Sequence, residues 1–573
     1  MHLLNSARLH MNWVPFVHEV SAAVAVEYFN EVSQGYQENS GSRRAYALVT
    51  AGPGLTNAVT GIAGAFLESR ECLVLGGQVK SVDLSKGQVR QRGIQEVDGV
   101  SIASPVSKLS ARVEQPLPLS DLRELVLSGH RARKGPVFLE FCLDAQGAEV
   151  EDLIPSNEVA SEPSLPAPEV KQINQVAQMI EKSERPIILI GGGVDFTHAV
   201  RLREKLAHSG LPLMTTWNGI DRVDHSSPNY LGRPNTWGQR AANVLLAQAD
   251  LVVALGTRLG IQQTGFNWKE WTQGKVVQVE IDPAALQKGH PHIDLAICAD
   301  ANQTLTLLLE RLGPRDFSKW IQFGHKVLDT LPPSEKTNKN DERFISPFDL
   351  VCEISEFLNS TDVVIPASSG SGQFVPMEVM PLKFGQRMIT NKGLAAMGYG
   401  LAAAIGAALA NKSGRTILFE GDGSFSQNIQ ELGTVAVQNL NLKIFILDND
   451  GYASIRTTQK NYFGGHYMGC DHATGLGFPD WHKLSEAFQI PSVTVTPGWQ
   501  SNPDVVALLE SDGPAVFVVP IDPEQTYFPK VTSRIQEDGS MMSNPVSRMT
   551  PELDPDIDLQ VFRFFAGRDL PRA

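Results

Sequence analysis

Gly421-Asp422-Gly423 follows the apolar run TILFE, and Asp448-Asn449-Asp450 follows the next one, KIFIL, so that Asn449 stands twenty-seven residues after Asp422. The composition of the two runs predicts two strands, and the apolar spacing of SFSQNIQELGTVAVQ predicts a helix between them. In an open α/β sheet, ligands gather where strands end and helices begin. One strand–helix–strand unit would then deliver a carboxylate, Asp422, and a carboxamide, Asn449, to the same edge. The flanking Gly421 and Gly423 let a bulky anion approach the backbone. Hard oxygen ligands of this kind suit Mg²⁺, which takes a few protein oxygens and completes its shell with phosphate oxygens and water. The pattern predicts a metal-bridged diphosphate. Gly-Asp-Gly alone is common, and two unrelated turns are the alternative.

These residues need a scaffold, and the chain supplies three blocks of alternating apolar runs and helical patterns. At 573 residues and 62.5 kDa it exceeds one core, so two to four domains are expected. Residues 1–150 carry AYALVT, GLTNAVTGIAGAFLES, ECLVLGGQV and GPVFLEFCL, the rhythm of βαβ units on a parallel sheet. A linker rich in Pro, Ser and acids covers 151–168. Residues 169–330 form a second block with RPIILIGGGV, ADLVVALGTRL and KVVQVEIDP. The stretch DTLPPSEKTNKNDERFISP reads as a hinge before a third block at 345–530, built on VVIPASSG, TILFEGDG and KIFILDND. A tail, 531–573, lacks periodicity and is expected to wrap over a surface. The fold class is α/β, and blocks one and three, of similar size and pattern, are candidates for structural relatives.

Composition excludes several classes. A formal net charge of -14 argues against nucleic acid or an anionic membrane as the main partner. The five cysteines are scattered and without CxxC spacing, which fits reduced thiols and neither a disulfide framework nor a structural zinc. The longest apolar tract, GYGLAAAIGAALA (Gly398–Ala410), is too short to span a bilayer and reads as a tightly packed core helix. A cytoplasmic location is expected.

With GDG and the strand-closing Asn449 in place, the sequence resembles the thiamine diphosphate enzymes, specifically the acetolactate synthase-like carboligases. The resemblance extends over almost the whole chain. HEVSAAVAVEYFNE looks like the family's HEQxAAxMAxGYAR, and TAGPGLTNAVTGIAGAF matches TSGPGxTNxxTGIAxAY at Pro53 and Asn57 among others. NKGLAAMGYGLAAAIGAA matches GGLGTMGYGLPAAIGA, with Ala395 where the family has glycine. The resemblance implies two doubly wound thiamine diphosphate-binding domains, for the pyrimidine and the diphosphate, flanking a Rossmann-like central domain. It implies that Asp422 and Asn449 bind Mg²⁺ with the carbonyl of Gly451, and that Ser424 meets the diphosphate. Glu19 falls on the activating glutamate, a carboxylate hydrogen-bonded to the pyrimidine that promotes loss of the thiazolium C2 proton. Without the resemblance, a Glu at a helix start is an ordinary solvated or capping group. Gln95 in GIQEVD would face the substrate, Met397 would wedge the cofactor into its bent form, and the carbonyl of Ala395 would receive its amino group. The resemblance also implies a 2-oxo acid donor and a carbonyl acceptor, and a homodimer or homotetramer with the cofactor between subunits.

The departures shape the rest. In the central block, GGG (Gly192 and Gly193 within it), Gly256 and Arg258 occupy places of the family's FAD-binding domain, and FAD is expected there in a structural role. Gln262 replaces a second arginine, and NTWG (Asn235–Gly238) replaces the GMHG loop. A ligand-free Rossmann-like domain is the alternative. Thr458 stands where acetolactate synthases carry a tryptophan, and the loop NDGYASIRTTQKNYF resembles that of carboligases acting on nucleotide-linked keto sugars. Acetolactate synthase itself is the second reading. The family's first βα unit has no match ahead of Met1-His2-Leu3, so either Met1 is internal to a longer chain or the protein is a catalytically impaired homologue, the third reading.

Overall fold

The computed structural model describes residues 2–34, 44–149, 165–338, 342–367 and 369–565. The linker expected at 151–168 lies outside the described residues except for its last four. The chain forms two compact units, one from Met1–Pro163, Asp362–Gln373 and Ile389–Pro520, the other from Ser164–Thr361, Phe374–Met388 and Ile521–Ala573.

The first unit holds two parallel sheets. One runs Ala47–Val49, Leu73–Gln78, Val137–Cys142, Leu109–Val113 in spatial order. The other runs Val363–Pro366, Thr416–Gly421, Leu442–Asp448, Ala515–Pro520, Ser492–Thr494. Each sheet places its last strand between the two that precede it in sequence. This shared order makes blocks one and three topological relatives, with the turn after Ala47–Val49 corresponding to the turn that carries Asp422. The strands Val137–Cys142 and Leu442–Leu447 are continuously buried, as strands covered on both faces must be.

Two helices join these sheets into one core. Glu19–Ser33 and Tyr399–Ala410 bury Val24, Tyr28 and Val32 against Leu401, Ile405 and the alanines between them. The second is the small-residue apolar tract, and it is buried all round, which explains why it lacks a polar face. Between the helices lies a closed polar cluster. Glu27 accepts from Arg70 at 2.8 Å, from Asn391 at 3.4 Å and from the Tyr399 hydroxyl, and Arg70 also donates to the Thr390 carbonyl at 2.9 Å. A buried carboxylate is tolerated only when its lone pairs are met in this way.

The second unit holds a five-stranded parallel sheet in the order Leu213–Thr215, Pro186–Ile190, Leu251–Leu255, Lys275–Glu280, Leu295–Cys298. The three sheets together give the expected three-domain α/β class. The tail does more than cover a surface. It forms a hairpin, Ser533–Ile535 with Met541–Ser543, and then sends Val546, Val561 and Phe562 into the core beside Trp271 and Trp320. Isolated apolar residues do this without the periodicity that a sequence scan detects.

One buried group gives this unit a pH response. His225 accepts at Nδ1 from the Leu382 N–H (3.0 Å) and faces Arg233 Nη1 (3.2 Å), so the proton sits on Nε2 and is donated to the Ile220 carbonyl at 3.0 Å. Burial, then the Arg233 charge, push its pKa down to about 3. The unfolded histidine titrates near 6.5. Between these values the unfolded chain binds a proton that the folded chain refuses, so stability is present above about pH 6.5 and is lost as pH falls toward 3. His225→Gln should therefore flatten the dependence of melting temperature on pH between about 7 and 5. Equal slopes in variant and wild type would remove this assignment.

Candidate functional site

The strands Thr416–Gly421 and Leu442–Asp448 are neighbours, with Gly421 paired to Leu447, so Asp422 and Asn449 leave adjacent strand ends. Asp422 is 1% exposed. Its Oδ1 accepts from the Gly423 N–H at 2.7 Å, and its Oδ2 accepts from the N–H groups of Gly451 at 2.9 Å and Asn449 at 3.2 Å. Burial and the neighbouring Asp448 carboxylate push its pKa up to about 7 against those donors. Asn449 is buried, and its Oδ1 has no hydrogen-bond partner. A buried carboxylate crowded by a second acid and a carboxamide oxygen without a protein partner make a donor set that suits a hard cation. The residues present fit Mg²⁺.

The loop that follows is shaped by backbone constraints. Asp450 is left-handed (φ 57°), and Gly451 has φ 143° with a hypothetical Cβ only 2.0 Å from the Cys470 carbonyl, so no other residue fits there. A Cβ on Gly423 would lie 2.4 Å from the Tyr452 ring and 3.6 Å from Met397 Cε. The second glycine of GDG thus makes room for side chains that flank the turn, whereas Gly421 faces open space. Ser424 donates to Glu420 Oε1 at 2.6 Å and accepts from the Gly398 N–H at 3.0 Å, so its hydroxyl ties this turn to the segment bearing Met397. Ala395 sits at φ 52°, a left-handed conformation that glycine adopts at lower cost.

The single helix expected after GDG is three short pieces: Asp422–Phe425, a tighter turn at Ser426–Glu431, and Leu432–Val437. Asn428 breaks it, at φ -137°, and donates to the Gly398 carbonyl at 2.5 Å. The apolar period runs through the break, which is why periodicity does not reveal it.

Glu19 opens the helix Glu19–Ser33 and is half-buried. Asn57 Nδ2 donates to its Oε2 at 3.0 Å, and Asn57 lies one turn on from Pro53, the first residue of the helix Pro53–Glu68. Gln95 is exposed and left-handed (φ 58°), and its carbonyl packs where a Cβ on Gly52 would lie, 2.1 Å away. The structure therefore gathers the predicted residues into two groups. Asp422, Asn449, Gly451, Gly423, Ser424 and Met397 form one, and Glu19, Asn57, Pro53 and Gln95 the other. Sequence reasoning missed the residue that connects the two parent elements. Glu431 accepts from the main-chain N–H of His18 at 3.0 Å and of Val17 at 3.4 Å, with Thr434 donating to it at 2.7 Å. The main-chain groups it ties down lie more than four hundred residues away, so no local signal marks it.

In the second unit, Gly191 and Gly193 pack on Gly256, with the Gly193 N–H donating to the Gly256 carbonyl at 2.9 Å. Gly192, Gly193 and Arg258 are exposed at the ends of the paired strands Pro186–Ile190 and Leu251–Leu255. The two departures in this block meet each other, since the Thr236 N–H donates to the Gln262 carbonyl at 3.1 Å. Arg258 at this strand edge suits a dinucleotide diphosphate.

Comparison with known proteins decides the family. The chain matches the thiamine pyrophosphate enzyme N-terminal TPP binding domain over residues 1–102, the central domain over 173–308 and the C-terminal TPP binding domain over 369–519. It is 32% identical over 521 residues to the acetolactate synthase isozyme 2 large subunit of Escherichia coli (strain K12), covering 90% of this chain and 89% of that protein.

The chain belongs to the thiamine pyrophosphate enzymes, in their acetolactate synthase-like branch.

Other relatives agree. The Escherichia coli isozyme 1 large subunit is 29% identical, with 87% of this chain and 86% of that protein covered. The chloroplastic acetolactate synthase 1 of Zea mays is 28% identical, with 90% and 80% covered. As a thiamine diphosphate-dependent carboligase, the chain places its GDG turn within the matched C-terminal domain and Glu19 within the matched N-terminal one. No described helix is long and apolar enough to cross a membrane.

Proposed function

We propose that this carboligase takes pyruvate as donor, removes CO₂ and joins the remaining two-carbon unit to a carbonyl acceptor, with Asp422, Asn449 and the Gly451 carbonyl holding Mg²⁺. The observation that carries the reading is the buried Asn449 Oδ1 without a partner beside the crowded Asp422 carboxylate. Bound thiamine diphosphate supplies the electron sink for decarboxylation and the nucleophilic carbon for ligation. The protein's part is to bind, orient and manage protons. Glu19, oriented by Asn57, would hold and return a proton at the cofactor's pyrimidine, Met397 and Tyr452 flank the turn that would hold the diphosphate, and Gln95 would orient the substrate. The half-buried Glu19 and the exposed Gln95 of the single chain support a site completed by a second copy, in a homodimer or homotetramer. FAD, held at Gly192, Gly193, Gly256 and Arg258, would brace the central domain. A purified protein without the visible absorbance of flavin would remove it.

For the acceptor, the names of the relatives favour a second pyruvate, giving acetolactate. One observation favours a nucleotide-linked keto sugar instead. Thr458 is exposed on the helix Ala453–Tyr462, donates to the Ser454 carbonyl at 2.9 Å, and leaves the position polar where a tryptophan would fill it. Incubation with pyruvate, thiamine diphosphate and Mg²⁺ should release CO₂ and form acetolactate. A keto-sugar acceptor that suppresses acetolactate in favour of a ligated sugar would shift the reading to that class. No CO₂ release under either condition would identify an impaired homologue.

A further inference from the structure

Arg456 is the one basic side chain planted in the metal loop, and neither the GDG pattern nor the proposed ligand set uses it. It lies on the helix Ala453–Tyr462, is 6% exposed, and donates from Nη2 to the carbonyls of both Asn449 and Asp450, each at 3.1 Å. On the opposite side of the same loop, the N–H groups of Asn449 and Gly451 point to Asp422 Oδ2. The loop is therefore gripped from two sides, its N–H groups by an acid and its carbonyls by a guanidinium. It needs the grip, because Asp450 is held left-handed and Gly451 is pressed against the Cys470 carbonyl. The Tyr452 N–H donates to that same carbonyl at 2.8 Å, which closes the far end.

We propose that Arg456 is a positioning residue for the metal. By holding the carbonyls of Asn449 and Asp450 on its own side, it fixes the loop backbone so that the Asn449 side-chain oxygen and the Gly451 carbonyl, which also accepts from the Ala453 N–H at 3.1 Å, can serve a metal beside Asp422. A guanidinium suits the task because it stays charged and presents two N–H bonds from one nitrogen in fixed directions. The inference rests on the reading that Asp422 and Asn449 hold Mg²⁺, and the experiment separates the two.

The full chain, stripped of metal and saturated with thiamine diphosphate, is titrated with Mg²⁺ by calorimetry, and the protein is melted in parallel without and with Mg²⁺. Arg456→Met should raise the half-saturating Mg²⁺ concentration about tenfold or more, the effect of losing a partner that orients a metal ligand. Arg456→Lys, which keeps the charge but not the fork, should raise it about threefold. Both variants should lower the metal-free melting temperature modestly, through the carbonyls left unmet, while the increment that Mg²⁺ adds to it shrinks further in Arg456→Met than in Arg456→Lys, a separation that general loosening of the fold would not produce. Wild-type Mg²⁺ dependence in Arg456→Met overturns the proposal, and if that variant does not fold, wild-type dependence in Arg456→Lys overturns it instead. Asp422→Asn serves as the reference arm. If it binds Mg²⁺ normally, the underlying metal reading falls, whereas loss of binding there with normal binding in both Arg456 variants rejects the positioning role alone.

Discussion

Glu19→Gln should lower the rate of hydrogen–deuterium exchange at C2 of bound thiamine diphosphate by about 100-fold or more, the range that a positioned acid–base group contributes. The substitution is close to isosteric. Asn57 can still donate to the side-chain oxygen at 19, and His18 keeps its grip on Glu431, so the helix start at Glu19–Ser33 is retained. What is lost is the ability to hold a proton. Glu19→Asp should fall between, because the carboxylate survives but is drawn back from its partner. Exchange is read by acid quench and NMR, and cofactor binding is measured separately so that weakened binding is not mistaken for slowed exchange. Wild-type exchange in Glu19→Gln would reduce Glu19 to the ordinary capping acid that its place in a first helical turn also suits.

How much was legible in the sequence follows from the separation of partners along the chain. Asp422 and Asn449 lie within one strand–helix–strand unit, and the physics of that unit alone sends both to one sheet edge. The parallel sheets were legible for the same reason, since each βα step is local. Asn428 was not, because a side chain that reaches the Gly398 carbonyl can break a helix without altering its apolar period. Glu431 and the Glu27–Arg70–Tyr399 cluster were invisible, as each bridges segments hundreds of residues apart and a lone acid in a helix looks like a solvated one. The central glycines were legible as a motif, yet part of their purpose is chain packing: Gly191 and Gly193 let one strand end rest on Gly256. Arg456 shows the opposite limit. Its neighbours in sequence are near, but ASIRTTQKNY is polar enough to read as a surface helix, and only the fold reveals that its one arginine turns inward.

Asp422→Asn should abolish the stabilisation that Mg²⁺ and thiamine diphosphate give while leaving the metal-free protein close to wild type. Two effects oppose one another in the metal-free state. The amide offers one acceptor where the carboxylate offered two, and its NH₂ group meets main-chain N–H groups of Gly423, Asn449 or Gly451, at a cost of about 1–3 kcal/mol. Against this, removing the charge ends the desolvation of a buried carboxylate and its repulsion by Asp448, the two influences that raise its pKa. These offset each other in large part. In the presence of ligand nothing compensates, because the metal loses its anionic oxygen and keeps only neutral ones. A ligand supplied at about 100 times its dissociation constant contributes about 2.7 kcal/mol, and a 100-fold loss of affinity reduces this to about 0.4 kcal/mol. Melting curves with and without Mg²⁺ and thiamine diphosphate measure the difference directly. A wild-type increment in Asp422→Asn would mean that the two strand ends are separate turns, and the unpartnered oxygen of Asn449 would then need another ligand.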